Sequence, residues 1–263
     1  MMQTDEVLER FLATGEFPPG LPGFTGPPAQ RRQAAERAVR EVLVRIVGWR
    51  TSRCPIQLPA PPENAEAVVR ERVEPMVRGL LPAADAMMVL RKLPACVAVV
   101  TPQTYPALIR GVPARTAWDL ANLLLDAVGA PPLADDTPEL DGLCEGSKSF
   151  VLPTAFLPQA GTDDILVHEF AHLLHSARRG DVGLGPAADP ILRIAERDRE
   201  TFAWACEIWS ALERDPLTAR ERLDVWLAGP TPDDARIDQP RLRAIVERAV
   251  GGAGWAALRE LVD

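Results

Sequence analysis

Apolar residues recur every three to four positions over most of this chain and run together over only a few short stretches, so helices are expected to dominate. Residues 5–14 read as a short helix. Over 29–48, Ala35, Val39, Val42, Leu43 and Ile46 fall on one side among arginines and glutamates, which predicts a long amphipathic helix. A second amphipathic region covers 63–92 and breaks near Leu81-Pro82. Residues 116–128 return to helix, with Trp118, Leu120, Leu123 and Leu124 as packing residues. A strongly apolar helix is expected from about 163, with Thr162 or Asp163 as its cap and Arg178-Arg179-Gly180 as its stop. Further helices are read at 191–213, 217–228, 238–249 and 253–262.

Strand signals are few. Cys96-Val97-Ala98-Val99-Val100-Thr101 is short and β-branched between Pro94 and Pro102. Ser149-Phe150-Val151-Leu152 is a brief second candidate, stopped by Pro153, and a proline there favours a sheet edge. An exposed edge beside a catalytic site would let an extended peptide add as a further strand. Between the helices, 15–28 carries five prolines and four glycines and reads as a loop or an extended arm, either an ordinary surface segment or one covering the site. The proline-rich stretch 55–62 excludes helix, and 129–147 is turn-rich and acidic. The expected class is a mainly helical α+β protein with a small sheet, divided into a helical N-terminal region over 1–92 packed on a catalytic region over 93–263.

Composition narrows the functions open to such a fold. A formal charge of −8 and no basic helix argue against nucleic acid as a partner. No apolar run is long enough to span a membrane, and Met1-Met2-Gln3-Thr4-Asp5-Glu6 does not start like a signal peptide, so a cytoplasmic location is expected. Cys54, Cys96, Cys144 and Cys206 are widely spaced without a C-x-x-C pair, which predicts free, mostly buried thiols.

The chemistry is concentrated in one place. All three histidines lie within His168-Glu169-Phe170-Ala171-His172-Leu173-Leu174-His175, whose first five residues spell H-E-x-x-H. On a helix, residues four apart stand one above the other, so His168 and His172 can direct imidazole nitrogens at one Zn2+ ion about 2.0–2.1 Å away. Glu169, beside the first ligand, is placed to reach an activated water as general base. His175 lies about 10 Å along the axis from His168, too far to share one ion easily, so a site-lining or second-shell role or a structural one near the helix end is expected before that of an alternative ligand. A third ligand is needed, and Glu196, Glu200 and Glu207, at spacings of four and seven, share roughly one face of the helix expected downstream. Geometry alone does not separate Glu196 from Glu200; Glu207 fits better as the carboxylate that orients a histidine through its second nitrogen.

Val167-His168-Glu169-Phe170-Ala171-His172, followed by Glu200-Thr201-Phe202-Ala203-Trp204-Ala205-Cys206, resembles gluzincin-type zinc metallopeptidases, with its nearest echo in anthrax-lethal-factor-like catalytic domains. The resemblance covers the two motif helices only. It implies a zincin-like domain in which His168, His172 and Glu200 hold zinc and Glu169 is the base, hydrolysing a peptide bond with metal-activated water. It also implies a tyrosine shortly before the glutamate ligand to stabilise the oxyanion; this chain has Arg193 there, and its only tyrosine is Tyr105. Tyr105, Arg193 or another arginine is therefore expected to serve as the donor, unless the reaction needs less oxyanion stabilisation than amide hydrolysis. With so sparse an oxyanion inventory, a zinc hydrolase or lyase acting on a small or modified peptide-like metabolite is the second reading, and a noncatalytic zinc-stabilised interaction protein the third.

Overall fold

The helical periodicity is realised as α1 (Thr4–Thr14), α2 (Pro28–Thr51), α3 (Ala65–Leu80), α4 (Ala83–Cys96), α5 (Tyr105–Leu108), α6 (Ala114–Ala127), α7 (Ile165–Leu174), α8 (Arg199–Arg214), α9 (Ala219–Ala228), α10 (Gln239–Arg248) and α11 (Trp255–Leu258). These come from a computed structural model, which describes residues 4–135, 137, 140–145, 148–157, 163–174, 194–214, 217–229, 232 and 234–262. The break at Leu81-Pro82 follows from steric clash between a proline and the residue before it: Leu81 is extended, at φ −111 and ψ 152, and ends α3. Thr218 and Glu221 form a reciprocal capping box that starts α9.

Three short strands, β1 (Val97–Val99), β2 (Gly142–Glu145) and β3 (Lys148–Val151), make a small mixed sheet in the order β1-β3-β2. The protein is thus mostly helical α+β. The first strand is shorter than the β-branched run at 96–101 implies. Helix α4 takes Cys96, and at the other end Thr101 and Thr104 exchange backbone-to-hydroxyl hydrogen bonds of 2.9 and 3.1 Å, a local turn that competes with the ladder. The edge position expected for the second candidate is overturned, since β3 is the central strand and is paired on both sides. Pro153 lies just past it, opening a 3-10 turn over Pro153–Phe156, so its missing N–H takes nothing from the sheet. Strand β2 arose inside the region read as turns; it offers no β-branched residue and so no strand signal.

The chain forms two compact units that interleave in sequence, one of residues 1–60, 99–145 and 152–154, the other of 61–98, 146–151 and 155–263. The boundary expected at 92/93 lies inside α4. In the first unit, the arm at 15–28 folds back on its own neighbours: Leu21 is buried with Val7 and Ala35, and Phe17 and Phe24 pack against them. Trp118 of α6 donates its indole N–H to the Leu12 carbonyl of α1 at 2.8 Å. In the second unit, α7 packs on α8, α3 and β3, and α10 and α11 close over α8. All four cysteines are free, with Cys96, Cys144 and Cys206 buried. No helix among the described residues is long and apolar enough to cross a membrane.

Gly79, on α3, marks the tightest approach in the second unit. A Cβ there would meet the Trp255 ring at 2.1 Å and the Trp255 Cβ at 2.7 Å, so the indole has no room to swing clear. The same tryptophan is held by Glu213 through its indole N–H at 2.8 Å. Gly79→Ala is expected to destabilise the protein by about 1–3 kcal/mol, the range for overpacking a filled core. Urea denaturation followed by tryptophan fluorescence checks it, and an unchanged midpoint would show that α11 yields without cost.

Candidate metal centre

Helix α7 is buried on nearly every side: Leu166, Val167, Phe170, Ala171, Leu173 and Leu174 are covered, and so are His168, Glu169 and His172. Polar side chains in that setting must find partners inside the protein. The helix begins at Asp164 rather than at the expected Thr162 or Asp163. The Asp164 carbonyl accepts the His168 N–H at 3.0 Å, and Asp164 Oδ1 accepts the Val167 N–H at 3.4 Å, while Asp163 is exposed and Thr162 falls outside the described residues. Two arginines hold the buried Asp164 carboxylate, Arg214 at 2.7 Å and Arg72 at 3.8 Å.

The partners for the histidines come from α8. Glu200, in its first turn, places Oε2 at 3.7 Å from His168 Nε2 and 3.5 Å from His172 Nε2. One ligand atom from each of the three residues lies within 4.8 Å of the others, so the group could hold a metal ion. Seven residues on, Glu207 Oε2 lies 2.9 Å from His168 Nδ1, and Glu207 Oε1 accepts the Asp164 backbone N–H. With Nδ1–H donating to Glu207, His168 Nε2 faces Glu200, to which it donates while the ring is charged, and loss of that proton would leave its lone pair for an ion between them. His172 is set differently. Arg199 Nε–H donates to His172 Nδ1 at 3.3 Å, which puts the hydrogen of the neutral ring on Nε2; ligation through Nε2 requires the other tautomer and releases that contact.

The charges fall into a pattern. Burial alone would lower His168, but hydrogen bonds from Glu200 and Glu207 outweigh it and push the imidazole up to about 10. Burial pushes Glu207 up as well, so the pair retains one proton, and the carboxylates flanking the ring place it on His168. Burial takes His172 down to about 4, leaving it neutral. Glu200 is disfavoured by burial, yet hydrogen bonds from both histidines hold it well below the usual carboxylate range. Burial lifts Glu169 to about 7, with His168 pulling the other way, and its Oε2 has no hydrogen-bond partner among the described residues. A buried carboxylate oxygen with no donor is costly, and it is the kind of atom that receives a proton from a bound molecule.

Of the residues expected from sequence, His168, Glu169, His172, Glu200 and Glu207 are gathered here. Glu196 is not on α8: it opens a 3-10 turn over Glu196–Asp198, and its side chain lies outside the described residues, as do His175 and Arg193. The helix expected from 191 starts at Arg199, after Asp198 is taken by Arg241 at 2.7 Å. Tyr105 belongs to the other unit, where it is buried and its hydroxyl donates to the Ala117 carbonyl at 3.0 Å; burial raises it far above the usual phenol range. Three neighbours were not among the expected site residues: Trp204 lay within the second motif, one turn from Glu200, whereas Arg236 and Asp234 had no periodic or motif signal. Trp204 sets its ring edge-on to His168 at 5.2 Å and 80°, Arg236 Nη1 donates to Glu200 Oε1 at 3.1 Å, and Asp234 holds Arg236 through Nε and Nη2.

Two outcomes follow from the His168 environment. Its raised affinity for protons means the ring stays charged through neutral pH, so an incoming metal must displace a proton. Metal affinity should then rise about tenfold per pH unit from 6.5 towards 8.5. Calorimetric titration in buffers of different ionisation enthalpy reads the proton released per ion, and a flat pH dependence would contradict the arrangement. Glu207→Ala removes the acceptor that orients His168 and should weaken metal binding about 10- to 100-fold, read by competition with a chromophoric chelator.

No family model, curated protein or solved structure matches this chain, so the functional reading rests on the geometry and charge of this site.

Proposed function

We propose that the protein is a zinc-dependent hydrolase of the H-E-x-x-H type that cleaves a peptide bond, with His168, His172 and Glu200 as metal ligands and Glu169 as general base. The observation that carries this reading is the convergence of Glu200 Oε2 on both Nε2 atoms, at 3.5 and 3.7 Å, with the partnerless Oε2 of Glu169 on the same helix. Two imidazoles and one carboxylate are a donor set suited to zinc, and a set of three leaves a position for water or substrate. The likeness of the two motifs to gluzincin peptidases supports the same assignment.

Zinc, when bound, supplies Lewis acidity at a carbonyl oxygen and lowers the pKa of water. The protein's own groups do the rest. Glu169 accepts a proton from water as the water oxygen bonds to the carbonyl carbon, then returns that proton to the amine nitrogen as the C–N bond breaks. Burial matches Glu169 to this work, since a carboxylate lifted to about 7 both takes and gives a proton near neutrality. Glu207 keeps His168 in the ligating tautomer, and the apolar surroundings of α7 limit bulk water.

One observation favours a narrower substrate. With β3 paired on both sides, the strand next to α7 offers no edge for an extended chain to join. A small or modified peptide-like metabolite, gripped by side chains rather than by strand addition, is therefore the second reading.

Glu169→Gln should retain stoichiometric zinc and lose turnover by at least about 10³-fold, whereas His172→Ala should lose both. Peptide-library digestion beside metabolite profiling, each followed by mass spectrometry, supplies the assay. Full activity in the glutamine variant would remove Glu169 from the mechanism, and cleavage of discrete metabolites with none of unfolded peptides would select the second reading.

A further inference from the structure

Arg236 is a cation beside the metal ligands that the general-base scheme leaves unused. It lies in the turn before α10, far in sequence from the H-E-x-x-H helix. Its Nη1 donates to Glu200 Oε1 at 3.1 Å, so Glu200 is divided: one oxygen faces the two imidazoles and the other faces this guanidinium. Asp234 fixes the group from behind. Nε donates to Oδ1 at 3.0 Å and Nη2 donates to Oδ2 at 2.6 Å, a two-point grip that sets the plane of the fork. The Arg236 side chain is nevertheless 68% exposed, so its grip on Glu200 and Asp234 does not bury it. The second hydrogens of Nη1 and Nη2 are not used by these bonds.

Most arginines near the centre are spent otherwise. Arg214 and Arg72 are held on Asp164 and Arg241 on Asp198, while Arg199 sits on His172 Nδ1, a contact that ligation through Nε2 would release. The single tyrosine is buried in the other unit with its hydroxyl committed to Ala117. Arg236 combines contact with a proposed metal ligand, a two-point grip that fixes its orientation, and a largely exposed side chain.

We propose that Arg236 is a catalytic residue, donating a hydrogen bond to the substrate carbonyl oxygen and to the oxyanion that develops on it. The hydrolytic reading above is assumed, and Arg236 adds the donor that reading lacks. A charged donor held in place before reaction needs no reorganisation when the negative charge appears, and removing one such donor typically costs about 10²–10³-fold in kcat. Arg236 also defines the substrate class: an acyl compound whose carbonyl oxygen becomes anionic, with a preference for a further anionic group, such as a carboxylate, within reach of the fork.

The test uses the full chain loaded with Co2+, whose visible spectrum reports changes at the metal, titrated with inorganic phosphate as a tetrahedral oxyanion and, separately, with acetohydroxamate as a metal binder that needs no second cation. Wild-type protein should bind both. Arg236→Gln should keep metal stoichiometry and bind acetohydroxamate as wild type does, yet bind phosphate at least tenfold more weakly; Arg236→Lys, which keeps charge without the fork, should fall between. Where a hydrolytic assay exists, Arg236→Gln should lower kcat about 100-fold with little change in KM, and added guanidinium should restore part of it. Phosphate binding unchanged in the glutamine variant, or absent in the wild type, overturns the proposal. Loss of metal from both variants overturns it too, since Arg236 would then serve only to hold Glu200. Failure of the hydrolytic reading is separate: it shows as full turnover in Glu169→Gln or as no turnover of any compound, and leaves the phosphate titration unaltered.

Discussion

One carboxylate fixes the centre. Glu207 receives the Asp164 backbone N–H on one oxygen and His168 Nδ1 on the other, so a single side chain of α8 sets both the start of the metal helix and the tautomer of its first histidine. Asp164 is itself buried and held by Arg214 and Arg72, the second of which also donates to the carbonyls of Ala155, Phe156 and Leu157. Four segments, α3, the turn after β3, α7 and α8, are thereby joined through the buried Asp164 and Glu207 carboxylates and two arginines that reach Asp164 from nearer the surface. Such a network is weak evidence of stability, because desolvation offsets much of the attraction. Its effect is on geometry. Breaking one member strands a buried charge at roughly 3–5 kcal/mol, so the alternatives are strongly disfavoured and the ligands are held in one arrangement.

The apolar character of α7 explains why so much of the machinery lies on its neighbour. A helix buried on nearly every side has no solvent to satisfy its polar groups, and each of its three must be answered by another element. His168 and His172 are answered by Glu200, Glu207 and Arg199, all from α8. Glu169 is the exception, with an oxygen left without a donor. Ser149 Oγ, Asp198 Oδ2 and Trp209 Nε1 share that condition in the same unit, but only the Glu169 oxygen belongs to a helix that also carries two of the proposed metal ligands, and sites where a protein tolerates such a cost are commonly where function resides.

Periodicity made the helices legible. The interruption at Leu81-Pro82, the long α2 and the metal helix were all readable from apolar spacing and proline placement, because those effects act within a few residues. Glu200 and Glu207 were readable as a pair because seven residues return a helix to the same face. Glu196 shares that face only if the α-helical period extends back across Asp198, where the chain instead makes a 3-10 turn and Asp198 pairs with Arg241. Strand order could not be read at all: Pro153 pointed to an edge, but it lies past the end of β3, and a position in a sheet is set by partners distant in the chain. The same applies to Arg236 and Asp234. Nothing local distinguishes an Asp-x-Arg in a turn from any surface pair until the fold brings it against Glu200.

That last point bears on how the chemistry is distributed. The proposed ligands and the proposed base come from two adjacent helices and obey helical spacing, because fixed distances between donor atoms are most readily set on rigid elements. A donor for a developing negative charge has a different requirement. It must be charged, oriented and yet open to the substrate, which a buried helix face does not allow. The proposed role suits Arg236, which stands in a turn, gripped by Asp234 and bonded to Glu200, with its side chain largely exposed. The absence of a tyrosine or a fourth histidine near the motif therefore need not weaken a hydrolytic assignment, because cation and metal ligand share one carboxylate. Glu200, divided between the imidazole pair and the guanidinium, couples the two: any ion drawn towards Oε2 relieves the demand on Arg236 at Oε1 and leaves its fork more available to an anion.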